Sequence, residues 1–371
     1  MAVQTVPQKS EFRVATARDY DQSSPLRWIL AHLAEYKWWL AAFFFGMTVT
    51  NIFNAAIPRQ VGAAFNVVTG ETVGEPFQAI ATLGLIVLGL AVGRFFCDTL
   101  ASLSIEVVGK RLERDGRSEL YLNLLGKSQT FHNQQRVGDI MARAANDVRF
   151  VNEMMTPGFS LLYDSMMAIL MPIIFIAFID LRLLLAPLAF CFFYYFALRH
   201  YMRQLDPVSD AVRARFGDMN ATLNEAVSGI EVVKAAGQER QELGKFIRDA
   251  RRYRDMFVQQ GDVQARYIPT LLIGVAIAGA FVHGVYLLNL GQLTLGDLVA
   301  YMGLMWVLRW PAFSSYFTFY LVQMGLSGAE RILELLKAET ELDQNSEGYT
   351  APMRGEIVFE NVSFRHGDSS D

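Results

Sequence analysis

Residues 154–198 read MMTPGFSLLYDSMMAILMPIIFIAFIDLRLLLAPLAFCFFYYFAL, and this stretch decides the class of the protein. It contains an apolar run, 154–179, interrupted only by Asp164, and a second apolar run, 183–198, which follows after a three-residue polar break. A helix crosses the hydrocarbon core of a bilayer with about 17 to 25 mostly apolar residues. The stretch therefore predicts two membrane-spanning helices joined by a tight turn.

Four further apolar runs have a comparable length and composition. They are 38–57, which has no charge, 77–97, which contains Arg94, 267–290, which contains His283, and 298–321, which contains Arg309 and Pro311. With the first two runs they predict an all-α membrane protein with six transmembrane helices.

The overall composition agrees with burial in lipid. Hydrophobic residues make up 52% of the 371 residues and charged residues only 19%, which is more apolar than a soluble enzyme needs. The net charge of -4 gives no reason to expect binding to nucleic acid. Cys97 and Cys191 lie in apolar runs outside any metal-binding spacing, so we interpret them as packing residues and predict no metal site.

Basic residues are concentrated in two of the five loops. The segment 110–149 carries eight of them and 199–266 carries twelve, whereas Arg59 and Arg182 are the only ones in the first and third loops. The fifth loop has none. By the positive-inside rule, this asymmetry predicts that both long loops and both termini lie in the cytosol. The N-terminal stretch also lacks the apolar core of a secretory signal.

The long loops themselves have helical periodicity. Apolar and charged residues alternate at helical spacing over 101–125 and 201–258, which predicts long helices that continue the spans into the cytosol. Upstream of the first span, 25–37 predicts a helix on the membrane surface. There the apolar Leu26, Ile29, Leu30 and Leu33 are combined with the polar Arg27, His32 and Glu35.

Two stretches in the long loops resemble the intracellular loops of ABC exporters. The first, RSELYLNLLGKSQTFHNQQRVGDIMARAANDVRFVNEMM from Arg117, has the aromatic, the G-D, the basic residue and the N-D-V of that family. These are Phe131, Gly138, Asp139, Arg143, Asn146, Asp147 and Val148. The second, ATLNEAVSGIEVVKAAGQERQELGKF from Ala221, is similar to the loop in which G-I-x-V-V-K precedes a short transverse helix.

Later stretches resemble the same family in the expected order. Leu295, Gly296 and Pro311 fit its sixth helix, GAERILELL from Gly328 fits the exit, and RGEIVFENVSFRH from Arg354 resembles the first strand of its nucleotide-binding domain. The chain thus looks like a half-transporter of the type IV exporter class, cut at the start of that domain, with the domain-swapped exporter fold. The implied divisions are a cytosolic N-terminus with its surface helix (1–37), the transmembrane domain (38–325), a linker (326–353) and the truncated nucleotide-binding domain (354–371).

The resemblance implies that the complete transporter is a translocating ATPase that uses ATP and Mg, which this fragment does not bind. The chain contains no Walker A, Walker B or signature motif. Gly126, Lys127 and Ser128 look like the end of a phosphate-binding loop, but Tyr121 stands where that motif requires glycine. At the position where the family stacks an aromatic residue on adenine, this chain has His366.

The resemblance also implies how ATP use would be coupled to transport. Transverse helices at 128–134 and 235–243 would contact the nucleotide-binding domains, the second one in the opposite half. The implied coupling residues are Phe131, His132, Asn133, Gln134, Gln238, Glu239 and Arg240. The implied partners are a second half-transporter, identical or a sister chain, the nucleotide-binding domains and lipid, in a bacterial inner membrane.

Ionisable groups within membrane spans normally face an interior or a water-filled path. This makes Arg94, Asp164, His283 and Arg309 candidates for a cargo cavity, joined by Phe313, Phe317 and Tyr320, which lie near the face of Arg309. An aromatic face with one cation suits an amphipathic or anionic cargo, whether lipid-like, peptide or drug-like. Pairing between helices, snorkelling and ordinary aromatic packing are open alternatives for the same residues.

Two other functions are compatible with the spans. An ATP-independent carrier or channel would explain them, although it would not explain the long helical loops, and inverted repeats are not evident. A non-transporting regulator built on an exporter-like scaffold is the second alternative. A Walker A motif encoded soon after Asp371 would favour the exporter.

Overall fold

The computed structural model describes residues 20–70, 75–266, 268–338, 352 and 355–363, without the side chains of 268–270 and 312–316. Its helices are α1 (Pro25–Leu33), α2 (Lys37–Val68), α3 (Pro76–Leu125), α4 (Gln129–Gln134), α5 (Val137–Ala142), α6 (Val148–Glu153), α7 (Ser160–Ala177), α8 (Leu185–Ser228), α9 (Ile230–Ala236), α10 (Glu239–Ala265), α11 (Ile268–Asn289), α12 (Leu295–Val307) and α13 (Arg309–Lys337). No β-strand occurs in the described ranges, which confirms the all-α class. The nucleotide-binding strand predicted from residue 354 onward stays a prediction, because 355–363 are irregular and 364–371 lie outside the described residues.

Five helical stretches of the described chain are long and apolar enough to cross a membrane. They are Pro25–Val68, Pro76–Leu125, Val137–Ala177, Leu181–Ser228 and Leu271–Asn289. The first, second and fourth predicted spans fall within these stretches, whereas 154–179 and 267–290 overlap theirs and extend a few residues beyond them. The predicted extension 101–125 is present, since α3 continues to Leu125. The predicted extension 201–258 is helical but divided, since α8 ends at Ser228 and is followed by α9 and α10.

The sixth predicted span is divided between two helices, α12 and α13, which meet at Leu308. Pro311 explains the position of the break. A proline has no N–H to donate, and its ring clashes with the carbonyl four residues earlier, here that of Val307, the last residue of α12. The apolar run 298–321, in which Arg309 and Pro311 are the exceptions, therefore forms two consecutive helices.

The short connections between spans meet at one end of the bundle, which we call the turn end. Asn66 of α2 donates to the Thr294 hydroxyl (3.0 Å) and accepts from the backbone N–H of Gly296 (2.7 Å). Thr294 caps α12 through a reciprocal pair of hydrogen bonds with Asp297, each 3.1 Å. Arg182 donates to Gln292 across the neighbouring connection. These contacts hold the turn-end termini of α2 and α12 together.

The opposite end, which we call the loop end, has its own hydrophobic core. Side chains from α1, α2, α3, α6 and α13 bury one another there, among them Trp28, Phe43, Ile105, Val148 and Ile332. A second core lies toward the turn end and joins α7, α8, α11 and α12. Between these two cores α2, α3, α7 and α13 form the main bundle.

The α8–α10 extension stands apart from this bundle. Thr222 donates to Asp249 (2.9 Å) and Gln260 to Ser209 (2.9 Å), so α8 and α10 run side by side. In the described structure α10 buries no residue. Large apolar side chains on the pair are exposed instead, namely Phe216, Leu223, Val227, Leu243, Ile247, Phe257 and Val258.

The predicted surface helix is present as α1, and its contacts differ from expectation at His32. Leu26 and Leu30 are exposed, as a membrane-surface helix requires, but His32 is completely buried rather than on the polar face. Its Nε2 lies 3.2 Å from the Glu119 carboxylate of α3, which also accepts from Trp28 Nε1 (2.9 Å). A charged partner on another helix, which helical periodicity does not reveal, explains this burial.

Candidate functional site

A cavity of about 650 Å³ lies between α2, α3, α7, α11, α12 and α13. Three of the sequence-predicted cargo residues, Arg94, Asp164 and Arg309, line it together. It adds residues that the sequence analysis did not identify, namely Thr50, Asn51, Asn54, Asp98, Trp306 and Trp310. Asp98 could have been found from its position one helical turn after Arg94.

Two of the four charged groups in this cavity form hydrogen bonds with neutral amides. Arg94 donates to Asn54 Oδ1 (3.0 Å), and Asn51 donates to Asp164 Oδ1 (2.9 Å). The Arg309 guanidinium lies 4.9 Å from the centroid of the Trp306 ring. Among the described residues, no ion pair within 4.0 Å involves the charged groups that line the cavity. The positive and negative groups therefore line the same cavity without direct ion-pair contact.

Three of the other predicted cargo residues, His283, Phe317 and Tyr320, do not line this cavity. His283 is half-buried in a separate shallow groove on α11, and no hydrogen bond to its Nδ1 is present in the described part of the chain. Phe317 and Tyr320 are exposed on α13, and the side chain of Phe313 lies outside the description. Among the described side chains, Trp306 and Trp310, just before Pro311, form the aromatic lining of the cavity.

The first predicted transverse helix is present as α4. Ser128 caps it by accepting from the backbone N–H of Phe131 (3.3 Å). Phe131 is only 7% exposed, and His132 Nε2 lies 3.1 Å from the Leu124 carbonyl, so both residues face the bundle. Asn133 and Gln134 are exposed. Of the coupling residues predicted here, these two are available to a partner.

The second tip differs from the expected transverse helix over 235–243. Gly237 ends α9 in the left-handed conformation (φ 63°), which glycine adopts without a Cβ penalty, and α10 begins at Glu239. Gln238, Glu239 and Arg240 are all exposed at this turn. A hydrogen bond from its own backbone N–H and the nearby Lys234 ammonium (3.1 Å) lower the pKa of Glu239.

The N-D-V stretch and the exit of the last helix are joined by an ion pair that the sequence analysis missed. Arg331 of α13 donates to both carboxylate oxygens of Asp147, at 3.0 and 2.6 Å, and Asp147 is 6% exposed. This contact raises the pKa of Arg331. Arg143 adds a hydrogen bond to the Arg331 carbonyl (2.8 Å) and an ion pair with Glu334 (3.1 Å).

Lys127 holds the C-terminal end of the same helix. Its buried ammonium donates to the carbonyls of Leu336 (3.3 Å) and Ala338, where the helix dipole favours a cation. Burial lowers the pKa of Lys127 to about 8. The Gly126–Ser128 stretch, which looked like part of a phosphate loop, thus engages α13.

Comparison with known proteins gives consistent similarities. Residues 39–312 match the model of the ABC transporter transmembrane region. The chain is 29% identical over 271 residues to a probable multidrug resistance ABC transporter ATP-binding/permease protein of Bacillus subtilis, covering 70% of this chain and 45% of that protein. It is 27% identical over 329 residues to a multidrug resistance-like ATP-binding protein of Escherichia coli, and the match covers 83% of this chain and 55% of that protein.

A third relative is an ATP-dependent lipid A-core flippase of Thiobacillus denitrificans. The chain is 26% identical to it over 321 residues, which cover 85% of this chain and 55% of the flippase. The chain spans about half the length of the curated relatives it matches.

Proposed function

Because the chain belongs to the family of ABC transporter transmembrane regions, we propose that it is the membrane-spanning half of an ATP-driven exporter with an amphipathic cargo. The observation that carries the proposal is that one set of helices both lines the cavity and reaches the loop end. Helix α3 contributes Arg94 and Asp98 to the cavity and ends at Leu125, about 40 Å further along at 1.5 Å per residue.

This continuity supports alternating access as the mechanism. A helix satisfies its backbone hydrogen bonds internally, so it can carry a displacement along its length without unfolding. Helix α13 offers a second route, since it lines the cavity through Arg309 and is held at the loop end through Arg331. ATP with Mg, bound by nucleotide-binding domains in the complete protein, would move the loop end and thereby reorient the cavity.

The α8–α10 extension supports pairing with a second half-transporter, identical or a sister chain. Seven large apolar side chains are exposed on the two helices, and exposed apolar surface of this kind is typical of an interface. A partner half would cover this surface, and its nucleotide-binding domain would contact the tip at Gln238. The named relatives, which are described as ATP-binding proteins, support the same assembly.

Replacing Gln238 and Glu239 by alanine in a complete transporter is expected to uncouple ATP use from transport. Both side chains are exposed, so their removal should change the free energy of unfolding by no more than about 0.5 kcal/mol. Cargo-stimulated ATPase activity and vesicle uptake should both fall, while cargo affinity stays unchanged. The two activities are measured on the same reconstituted preparation.

A matched control uses the exposed pair Arg254 and Asp255, which lies on α10 about 22 Å from the tip. Their replacement by alanine should preserve both activities. Normal transport in the Gln238 and Glu239 variant, or loss of cargo affinity with intact coupling, would show that the tip has been assigned wrongly.

The proposed orientation puts both termini and the loop end in the cytosol of an inner-membrane protein. Single cysteines introduced at Val68, Asp180 and Gly291 should then react with an impermeant maleimide added outside. Cysteines at Gln134 and Gln238 should react only after the membrane is opened. The labelling requires a background in which Cys97 and Cys191 are replaced, and any clear reversal at one of the five sites would reject this orientation.

A further inference from the structure

The cavity presents opposite charges to its ligand. Arg94 and Arg309 supply two cations, and Asp98 and Asp164 supply two carboxylates. In water such an arrangement would be unremarkable, but charges at membrane depth are poorly solvated and require a partner. Since none of the four forms an ion pair within 4.0 Å in the described structure, each of them is available to a group of opposite charge on a ligand.

A ligand of a single charge sign would compensate only half of these groups. An anion would pair with the arginines and would leave two carboxylates facing it without a counter-charge. A cation would leave the arginines in the same situation. A head group that carries both signs can satisfy both sets at once, so the charge pattern favours a zwitterion.

Thr50 provides an independent indication that the cavity is a binding site. Its side chain is 6% exposed and lines the cavity, and its Oγ1 makes no hydrogen bond within the described part of the chain. A buried hydroxyl without a partner costs free energy, which a polar group of the ligand would recover. The exposed rings of Trp306 and Trp310 add an apolar wall suited to an alkyl chain.

We propose that this cavity selects amphiphiles whose head group contains both a cationic and an anionic group, and that Asp164 and Arg309 determine this selectivity. The inference deepens the proposed function and depends on it for the identity of the ligand as cargo. It adds that the carboxylates discriminate against purely anionic amphiphiles.

The test is equilibrium binding of radiolabelled probes to the 371-residue chain in uncharged maltoside micelles. Three probes share a dodecyl chain and carry a phosphoethanolamine, a phosphate or an ammonium head group, and free phosphoethanolamine is the fourth. The zwitterionic amphiphile should bind at least about tenfold more tightly than the phosphate probe or the ammonium probe. It should also bind more tightly than free phosphoethanolamine, and equal binding of these two would overturn an amphiphile as the ligand.

Charge-removing variants test the assignment of residues. Asp164→Asn should weaken binding of the zwitterion about tenfold and strengthen binding of the phosphate probe, whereas Arg309→Gln should shift preference toward the ammonium probe. Thr50→Val should weaken binding of the zwitterionic amphiphile severalfold. The matched control is Asp210→Asn, which removes an exposed carboxylate on α8 and should leave the binding of every probe unchanged.

The outcomes separate this inference from the proposed function, because binding in micelles requires neither ATP nor transport. Equal binding of the phosphate and phosphoethanolamine probes would overturn the inference while leaving an exporter intact. The inference would also be overturned if Asp164→Asn and Arg309→Gln left the order of the probe affinities unchanged. If Asp164→Asn fails to fold, the same probes are compared in Asp98→Asn, which removes the other carboxylate of the cavity, on α3.

Discussion

Replacing Arg331 by methionine is expected to destabilise the loop end by about 3 kcal/mol, because it leaves the Asp147 carboxylate buried without its bidentate partner. Removing one member of a buried pair costs about 3 to 5 kcal/mol, and the lower limit applies here since the Arg331 side chain is 42% exposed. The melting temperature of the purified protein should fall accordingly. Transport should fall further than stability alone explains, since the pair joins α13 to the first long loop.

Two comparison variants make this expectation specific. Arg149→Met removes a nearby arginine that forms an exposed pair with Glu153, so it should cost about 0.5 kcal/mol or less. The double variant Asp147→Leu with Arg331→Met removes both charges and should recover much of the lost stability. Equal melting temperatures for Arg331→Met and Arg149→Met would contradict a structural role for the ion pair.

Replacing Gly296 by alanine is expected to prevent α12 from packing on α2. The added Cβ would lie 2.1 Å from the Gly62 carbonyl oxygen and 2.3 Å from Asn66 Oδ1. Backbone atoms of two fixed helices cannot give way as a flexible side chain can, so the helices must separate. We expect a loss of about 3 kcal/mol, at the upper end of the cost of overpacking, and a low yield of folded protein.

Gly62→Ala should have a similar effect, because its Cβ would lie 2.2 Å from the Gly296 carbonyl oxygen. Gly84→Ala on α3 is the matched control, since no atom lies within 4 Å of its Cβ, and alanine should raise helix propensity there. The measurement is the melting temperature and monodispersity of each variant in detergent. A Gly296→Ala protein as stable as Gly84→Ala would refute this close contact.

Some functional residues could be predicted from local sequence and others could not. Asp164 and Arg309 were identifiable because a charge in an apolar run is conspicuous wherever it occurs. Asn51 and Thr50 were not, because a single amide or hydroxyl in a membrane span has many structural explanations. The hydrogen bond from Asn51 to Asp164 and the place of Thr50 in the cavity become evident only when the helices are packed together.

The aromatic lining of the cavity illustrates a different limit. Helical spacing grouped Phe313, Phe317 and Tyr320 with Arg309, and all four residues do lie on α13. Phe317 and Tyr320 are nevertheless exposed, whereas Trp306 and Trp310 line the cavity with Arg309. Periodicity indicates which residues share a helix face, but it does not indicate what that face contacts.

The sequence by itself determined the class of the protein, the first five spans and the two long extensions. Lipid imposes a local requirement, a run of apolar residues of sufficient length, and helical periodicity is equally local. The tertiary structure decided the burial of His32, the Asp147–Arg331 pair and the mixed charge of the cavity. These features depend on residues that are far apart in the chain, and no local pattern encodes which helix faces will meet.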